Sequence, residues 1–504
     1  MEMSTKVEQL SQENAWYKEQ VKFQQKKLFG KSSEKTNTEQ ISLFDEAEVE
    51  STPISDESEI IKVPEHKRKK KGKPLSYDNI PVETIHYELS GKELICPTCG
   101  DEYHEMSTKV KRELVYVPPK IEVKEHVEHI YSCRNCEKNG IEATIATAKG
   151  PKPLIAGSMA SPSAVANIIN DKYNKSVPLY RQEITFKQLG INLSRQTMSN
   201  WLIKCSNIYF LKMIDLMKKE LVAMDIIRAD ETKVEVLHEP GKKASALSYM
   251  WVYASGRSES KQLVIFKYEA SRAHNHAIKY LKEFSGTLQS DGYQAYDKIE
   301  NIRQAGCWAH CRRKFTDALA LVPKKVDPKT TETYKCLEMI NKLFEIEKKQ
   351  KDTDYDRITK IRQSESLPVV NMFFEKIHEL EKISLPKSHL GEAVSYASNQ
   401  ENKLRTYLDD GRIEISNNST ERSIRPFTIG RKNWLFMNTV KGANSSSAIY
   451  SLIESAKMNN LKPYDYINYV LEKAPLIDFN DENQISQLMP YSKLPKNLYN
   501  PKKS

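Results

Sequence analysis

Three acidic residues, Asp230, Asp291 and Glu421, are the side chains of this sequence best suited to chemistry at phosphorus. Hard divalent ions such as Mg2+ or Mn2+ prefer carboxylate oxygen. Two of them about 4 Å apart can activate one oxygen and stabilise the leaving one in an in-line displacement. Asp230 stands in ADET, Asp291 in SDGY and Glu421 in ISNNSTERSIRPFTIGRKNWLF. Asn417 or Asn418 can cap a short helix that Pro426 interrupts or ends, which puts Glu421 in its first turn. A second role is open to Glu421: with Asn418 as N-cap it falls at N3, where it could merely close a capping box. Its company favours the first role. Between 412 and 441, Arg412, Arg422, Arg425, Arg431, Lys432 and Lys441 face only Glu414 and Glu421, a basic field suited to phosphate.

The elements that must position these acids are legible in the hydrophobic pattern. IIRADETKVEVL, SYMWVYAS and KQLVIFKYEAS read as three strands, separated by turn-like segments that contain Gly241 and Gly256. HNHAIKYLKEF reads as a helix, TLQSDGYQAY as a fourth strand, and IRQAGCWAHCRRKFTDALAL as a short strand feeding a helix. This order predicts a mixed α/β domain in which the first and fourth strands are neighbours, bringing Asp230 and Asp291 to one edge. Residues 323–411 read as a helical insertion packed beside that sheet. Cys307 and His310 read as a packed thiol and a hydrogen-bonded histidine rather than ligands. Arg312, Arg313 and Lys314 form a basic step that faces either DNA backbone or water.

Upstream, CPTCG (Cys96, Cys99) and CRNC (Cys133, Cys136) form two C-x2-C knuckles with thirty-three residues between them. Four thiolates satisfy tetrahedral Zn2+ and leave no open position, so the predicted site is structural. VKRELVYVPPKIEVKEHVEHIY, between the knuckles, reads as strand-like. From 178 to 204, YRQEITFKQL, the turn GIN and SRQTMSNWLIK with Ser194 as N-cap read as a helix-turn-helix. Arg195, Gln196 and Ser199 fall on the early part of its second helix, where base or phosphate contacts are made. A helix pair within a larger bundle would give the same pattern. The N-terminal segment carries heptad spacing at Val7, Leu10, Asn14, Tyr17, Val21, Gln24 and Leu28, which suits a short coiled coil or an amphipathic helix packed on its own protein. A Ser-, Thr- and Glu-rich linker and a basic run, His66 to Lys73, follow.

Composition narrows the class. The 504 residues are too many for one ordinary core, and 77 Lys and Arg against 67 Asp and Glu give a net charge of +10, which suits a polyanion if clustered. Mean hydropathy is −0.62 and no run approaches the ~18 apolar residues of a membrane span, so membrane binding is not expected. The opening residues lack a signal-peptide pattern, which predicts a cytoplasmic protein. Eight cysteines are too few for a disulfide scaffold.

Taken with LFGKSSEK, GCWAHCRRKF and the tail AIYSLIESAKMNNLKPYDYI, these motifs resemble the insertion-sequence 66 family of bacterial DDE transposases along nearly the whole chain. The resemblance implies a ribonuclease-H-like α/β core with a mixed five-stranded sheet and a helical insertion. It also implies that Asp230, Asp291 and Glu421 hold two Mg2+ or Mn2+ ions. Water would attack a phosphodiester at the element's end, and the freed 3′-hydroxyl would attack target DNA, without a covalent protein intermediate. The partners implied are double-stranded DNA with terminal inverted repeats, further copies of this chain, and small accessory proteins of the same element. Arg312, Arg313, Arg422, Arg425, Arg431 and Lys432 are the expected backbone contacts. The module plan is 1–30 coiled-coil-like, 31–80 linker, 81–150 zinc ribbon, 151–222 helix-turn-helix, 223–322 core, 323–411 insertion, 412–444 core completion and 445–504 helical tail. A catalytically dead zinc and helix-turn-helix regulator, and a plain Mg2+ nuclease, are the competing readings.

Overall fold

The computed structural model describes residues 145–323, 325–350 and 354–501, with 119–140 and a few positions between 84 and 104. The chain divides into two compact units, one holding 121–500 and the other 25–120. The heptad segment, the linker, the basic run, Cys96 and Cys99 lie outside the described residues.

In the first unit, β1 (Ile130–Ser132) pairs antiparallel with β2 (Ile145–Thr147). The strand-like expectation for 110–131 is corrected where it can be read: residues 119–129 form no strand, although His129 O accepts from Ala148 N at 2.9 Å, the ladder begins at Ile130, and 110–118 lie outside the described residues. A five-residue helix, Arg134–Lys138, follows directly after the exposed Cys133.

The helix-turn-helix forms where expected. Helix α1 (Leu179–Gln188) follows Pro178, and the chain reverses at Gly190, whose φ of +90° lies in the region only glycine enters at little cost. Helix α2 (Arg195–Cys205) starts at Ser194, whose hydroxyl accepts from Thr197 N. It continues without a break through a π-helical turn, Ser206–Phe210, into α3 (Leu211–Val222).

The sheet runs β3 (Ile226–His238), β4 (Leu247–Ser255), β5 (Val264–Glu269), helix α4 (His274–Tyr280), β6 (Thr287–Gln289) and β7 (Arg303–Ala305). Its order is β5-β4-β3-β6-β7, antiparallel among the first three and parallel from β3 onward. The first and fourth strands are thus neighbours, as predicted. A sixth strand, β8 (Met437–Thr439), pairs parallel with the far end of β3, so the sheet has one strand more than expected. β3 is buried on both faces at Ile226, Ile227, Arg228 and Ala229, as a central strand covered by helices must be.

Helix α5 (Trp308–Ala320) and the insertion share a separate apolar cluster around Trp308, Phe315, Phe373 and Phe374. The insertion includes α6 (Glu332–Lys349), α7 (Leu367–Ile383) and α8 (His389–Asn399). Two further helices complete the core: α9 (Asn418–Trp434) and α10 (Val440–Met458). Strand β5 would be an exposed edge, but α10 lies along it and its serines replace a partner strand. Phe266 N donates to Ser451 Oγ at 2.8 Å and Val264 N to Ser455 Oγ at 2.9 Å, so buried amides keep their bonds.

Candidate active site

The parallel register of β3 and β6 pairs Arg228 with Gln289; Asp230 stands two residues further along β3, and Asp291 two residues further along the chain from Gln289. The two carboxylates are near enough to repel one another. β6 ends at Gln289, so Asp291 sits in the turn just beyond it rather than in the strand. Tyr293 N donates to Asp291 Oδ1 at 3.0 Å, and Tyr396 OH, from α8, donates to Asp291 O at 2.7 Å. Gly292 has φ +88°, and a Cβ there would meet Gln400 Oε1 at 2.9 Å. The insertion therefore braces the Asp291 turn, and glycine is required for that approach.

On its open edge β3 pairs with β6 at its start and β8 at its end, leaving a gap from Ala229 to Glu235. Helix α9 fills the gap with side chains. Asn417 Nδ2 donates to Ala229 O at 3.0 Å, and Arg431 donates to Lys233 O and to Thr232 Oγ1. Asn417 is fully buried, and its backbone N–H donates to Cys307 Sγ at 3.2 Å. Its own carbonyl accepts from Glu421 N at 3.2 Å, closing the first helical turn. One residue thus ties Glu421's helix to the strand of Asp230 and to the start of α5. Arg228, buried two residues before Asp230, reinforces this joint: it donates to Ser255 O and pairs with Glu414 Oε2 at 2.5 Å. Ser419 Oγ donates to the same Glu414 oxygen.

Two expectations are corrected here. Pro426 does not end the helix, which continues to Trp434. The capping box does not form either: the N-cap is Asn417 rather than Asn418, and its side chain makes no capping bond because it is spent on Ala229 O. Glu421 is left to the site. Its Oε1 is buried without a hydrogen-bond partner, with His310 Nε2 at 3.7 Å, while Arg313 stands 3.9 Å from Oε2.

Electrostatics join the three acids. Burial first, then repulsion from Asp291, Glu231 and Glu421, raises the Asp230 pKa well above its ordinary value, against one backbone hydrogen bond from Glu231 N. His310 is held below its ordinary value by burial, against the opposing pull of Asp291 and Glu421. The neighbouring Glu231 points to the other face, where Arg272 pairs with it and Tyr296 OH donates to it at 2.9 Å. Among the described residues no group of three or more His, Cys, Asp or Glu stands close enough to hold a metal ion as it is. Glu421 faces His310 and Arg313. The donor set nonetheless fits a hard cation: carboxylate oxygens that repel one another, one of them without a partner.

The other expected contacts divide into exposed and engaged groups. Arg195, Gln196 and Arg422 are exposed, and Ser199 is half-buried. The Arg195 backbone N–H donates to Glu183 Oε1 of α1 at 3.1 Å. Arg312 donates to Asn341 Oδ1 on the insertion, and Arg431 is spent on β3. Arg425 is half-buried and Lys432 exposed. Arg412 is paired with Asp225 and Asp410, so it leaves the basic field. Sequence reasoning read Asn417 only as a cap and missed Tyr396, which carries no charge and stands in no motif. It also left aside His310, whose place at Glu421 only the packing of α5 reveals.

The family model described as "Transposase IS66 family" matches residues 157–445, which includes the whole of this site. The chain belongs to the IS66 transposase family. Further matches are the IS66 C-terminal element at 451–491, the "zinc-finger binding domain of transposase IS66" at 93–137 and "Transposase C of IS166 homeodomain" at 16–85. The zinc-finger match takes in Cys96, Cys99, Cys133 and Cys136. Two proteins of Sinorhizobium fredii are similar along most of their length. "Uncharacterized protein y4qI" is 30% identical over 90% of this chain and 84% of its own. "Uncharacterized protein y4jD" is 28% identical over 79% and 78%. As a member of this family the chain carries DNA-binding and zinc-finger modules beside its mixed α/β core. Among the described residues no helix is long and apolar enough to cross a membrane.

Proposed function

We propose that this chain cleaves and rejoins DNA at the ends of an insertion sequence, with Asp230, Asp291 and Glu421 as the acids that hold two divalent cations, Mg2+ or Mn2+. The observation that carries the proposal is that Asp230 and Asp291 each follow by two residues the paired positions Arg228 and Gln289, with Glu421's helix docked into the gap beside β3. The sheet order, an antiparallel meander followed by two parallel strands, supports a ribonuclease-H-like core. When bound, the cations supply activation of the attacking oxygen and stabilisation of the leaving one. The protein's own part is positioning: Tyr396 and Gly292 fix the Asp291 turn, and Asn417 fixes the helix of Glu421. Arg313 and His310, beside Glu421, are placed to meet phosphate once the carboxylate turns to the aspartates.

Arg195, Gln196 and Ser199 read the element's terminal repeat, with Arg312, Arg313, Arg422, Arg425 and Lys432 as backbone contacts. Cys96, Cys99, Cys133 and Cys136 hold a structural Zn2+. Copies of the chain assemble on double-stranded DNA in the cytoplasm, with accessory proteins of the same element as further partners. The proposed modules are those drawn from the sequence.

Purified protein with Mg2+ and duplexes carrying the element's ends should give a nick with a free 3′-hydroxyl and then strand-transfer product. Asp230→Asn, Asp291→Asn and Glu421→Gln should each abolish both while leaving the shifted complex. A shifted complex without nicking by the wild type would favour the regulator reading, and cutting without joining the plain nuclease.

A further inference from the structure

Helix α9 ends in a strained turn. Leu435 has φ 65° and ψ −53°, and Phe436 N donates to Trp434 O at 2.8 Å, which is the γ-turn of the rarer, strained hand. Strain of this kind persists only where surrounding structure imposes it, and it gathers at functional sites. Here it holds two apolar side chains outward: Leu435 is 65% exposed and Phe436 44% exposed. Both neighbours along the chain are anchored. Trp434 packs against Tyr173 and Tyr450, and Met437 is paired to Val236 of β3. The turn is therefore a fixed projection from a rigid base.

Its surroundings point to nucleic acid. Lys432 and Lys441 are exposed on either side of it in sequence, and Lys233 is exposed on the strand that α9 follows. Asn433 Nδ2 donates to Ser176 O at 2.9 Å, which joins the turn to the segment that opens the helix-turn-helix two residues later at Pro178. The turn is thus tied to the segment that leads into the helix-turn-helix. Two rulers give its distance from the acids. Along α9, Glu421 to Leu435 spans about 21 Å at 1.5 Å per residue. Along β3, Asp230 to Val236, the partner of Met437, spans about 20 Å at 3.3 Å per residue. They agree, and at 3.4 Å per base pair the separation is about six base pairs.

We propose that Leu435 and Phe436 form an apolar wedge that enters double-stranded DNA between base pairs, unstacking one step about six base pairs from the phosphodiester held at the acids. Basic groups beside the turn hold the backbone while the wedge opens a step, and flexible pyrimidine–purine steps yield to it most readily. The inference rests on the proposed action on DNA.

The test uses full-length protein with Ca2+ in place of Mg2+ and mixed-sequence duplexes containing TA and CA steps, with 2-aminopurine at successive positions. Wild type should raise the fluorescence at one step by about threefold or more, as unstacking requires. Phe436→Ala should abolish the rise while weakening the shifted complex only a few-fold, and Phe436→Trp should restore it. Leu435→Gly removes an apolar group and relieves the left-handed strain, so it should raise the melting temperature yet reduce the signal, a split that a packing role would not produce. An undiminished rise in Phe436→Ala, or binding by wild type without any rise, overturns the wedge and leaves the action on DNA standing. A loss of self-association in Phe436→Ala, with the fluorescence unchanged, would assign the surface to a second copy instead. Failure of the wild type to bind DNA would overturn both.

Discussion

Replacing Asn417 by alanine separates what holds the fold from what aligns the acids. The side chain is fully buried, and its amide is the partner that α9 offers to Ala229 O in the gap of the sheet. Losing that bond strands a buried carbonyl, at a cost of about 1–3 kcal/mol. The cost is offset in part, because Asn417 Oδ1 is itself buried without a partner and the substitution removes it. A net loss of about 1 kcal/mol follows, small beside the 5–15 kcal/mol of an ordinary domain. The effect on chemistry is larger, since a displacement of about 1 Å in a reacting group costs on the order of a hundredfold in rate. Urea denaturation and a DNA cleavage assay with Mn2+ give the two numbers side by side. Cleavage within about threefold of wild type would refute the alignment argument. A stability loss of several kcal/mol would show instead that Asn417 is a packing residue.

Two further perturbations probe the site and its support. Burial and acidic neighbours raise Asp230 above its ordinary 3.8, so the ionised carboxylate costs the folded state. That cost is absent below about pH 3.8 and grows as pH rises through the folded-state pKa. In chelator, Asp230→Asn should therefore melt higher than wild type at pH 7 and alike in strong acid, and Mn2+ should stabilise wild type alone. A lower melting temperature for Asp230→Asn at pH 7 would contradict the clustering of the acids. At the sheet edge, Ser451→Ala removes the acceptor of Phe266 N and should cost about 1–3 kcal/mol by denaturant titration, whereas no change would mean the edge of β5 is not closed by α10.

Much of this protein is written in local pattern. Alternating apolar runs foretold β3, β4 and β5, and the βββαβ order placed the first strand beside the fourth because crossover rules leave few alternatives. Ser194 and the GIN turn foretold the helix-turn-helix, since capping and left-handed glycine act within a few residues. Three things were decided only by the tertiary structure. Pro426 was tolerated inside α9 because sheet and neighbouring helices hold that helix on both sides of it. Asn417 gave up its capping bond for Ala229 O, and Glu421 turned to His310 and Arg313. The last two depend on partners between about 110 and 190 residues away, as the Asn417 bonds to Cys307 and Ala229 show. Propensity and spacing report what a residue can do with its neighbours in sequence, while the final partner of a buried polar group is set by which unsatisfied atoms the completed fold brings against it.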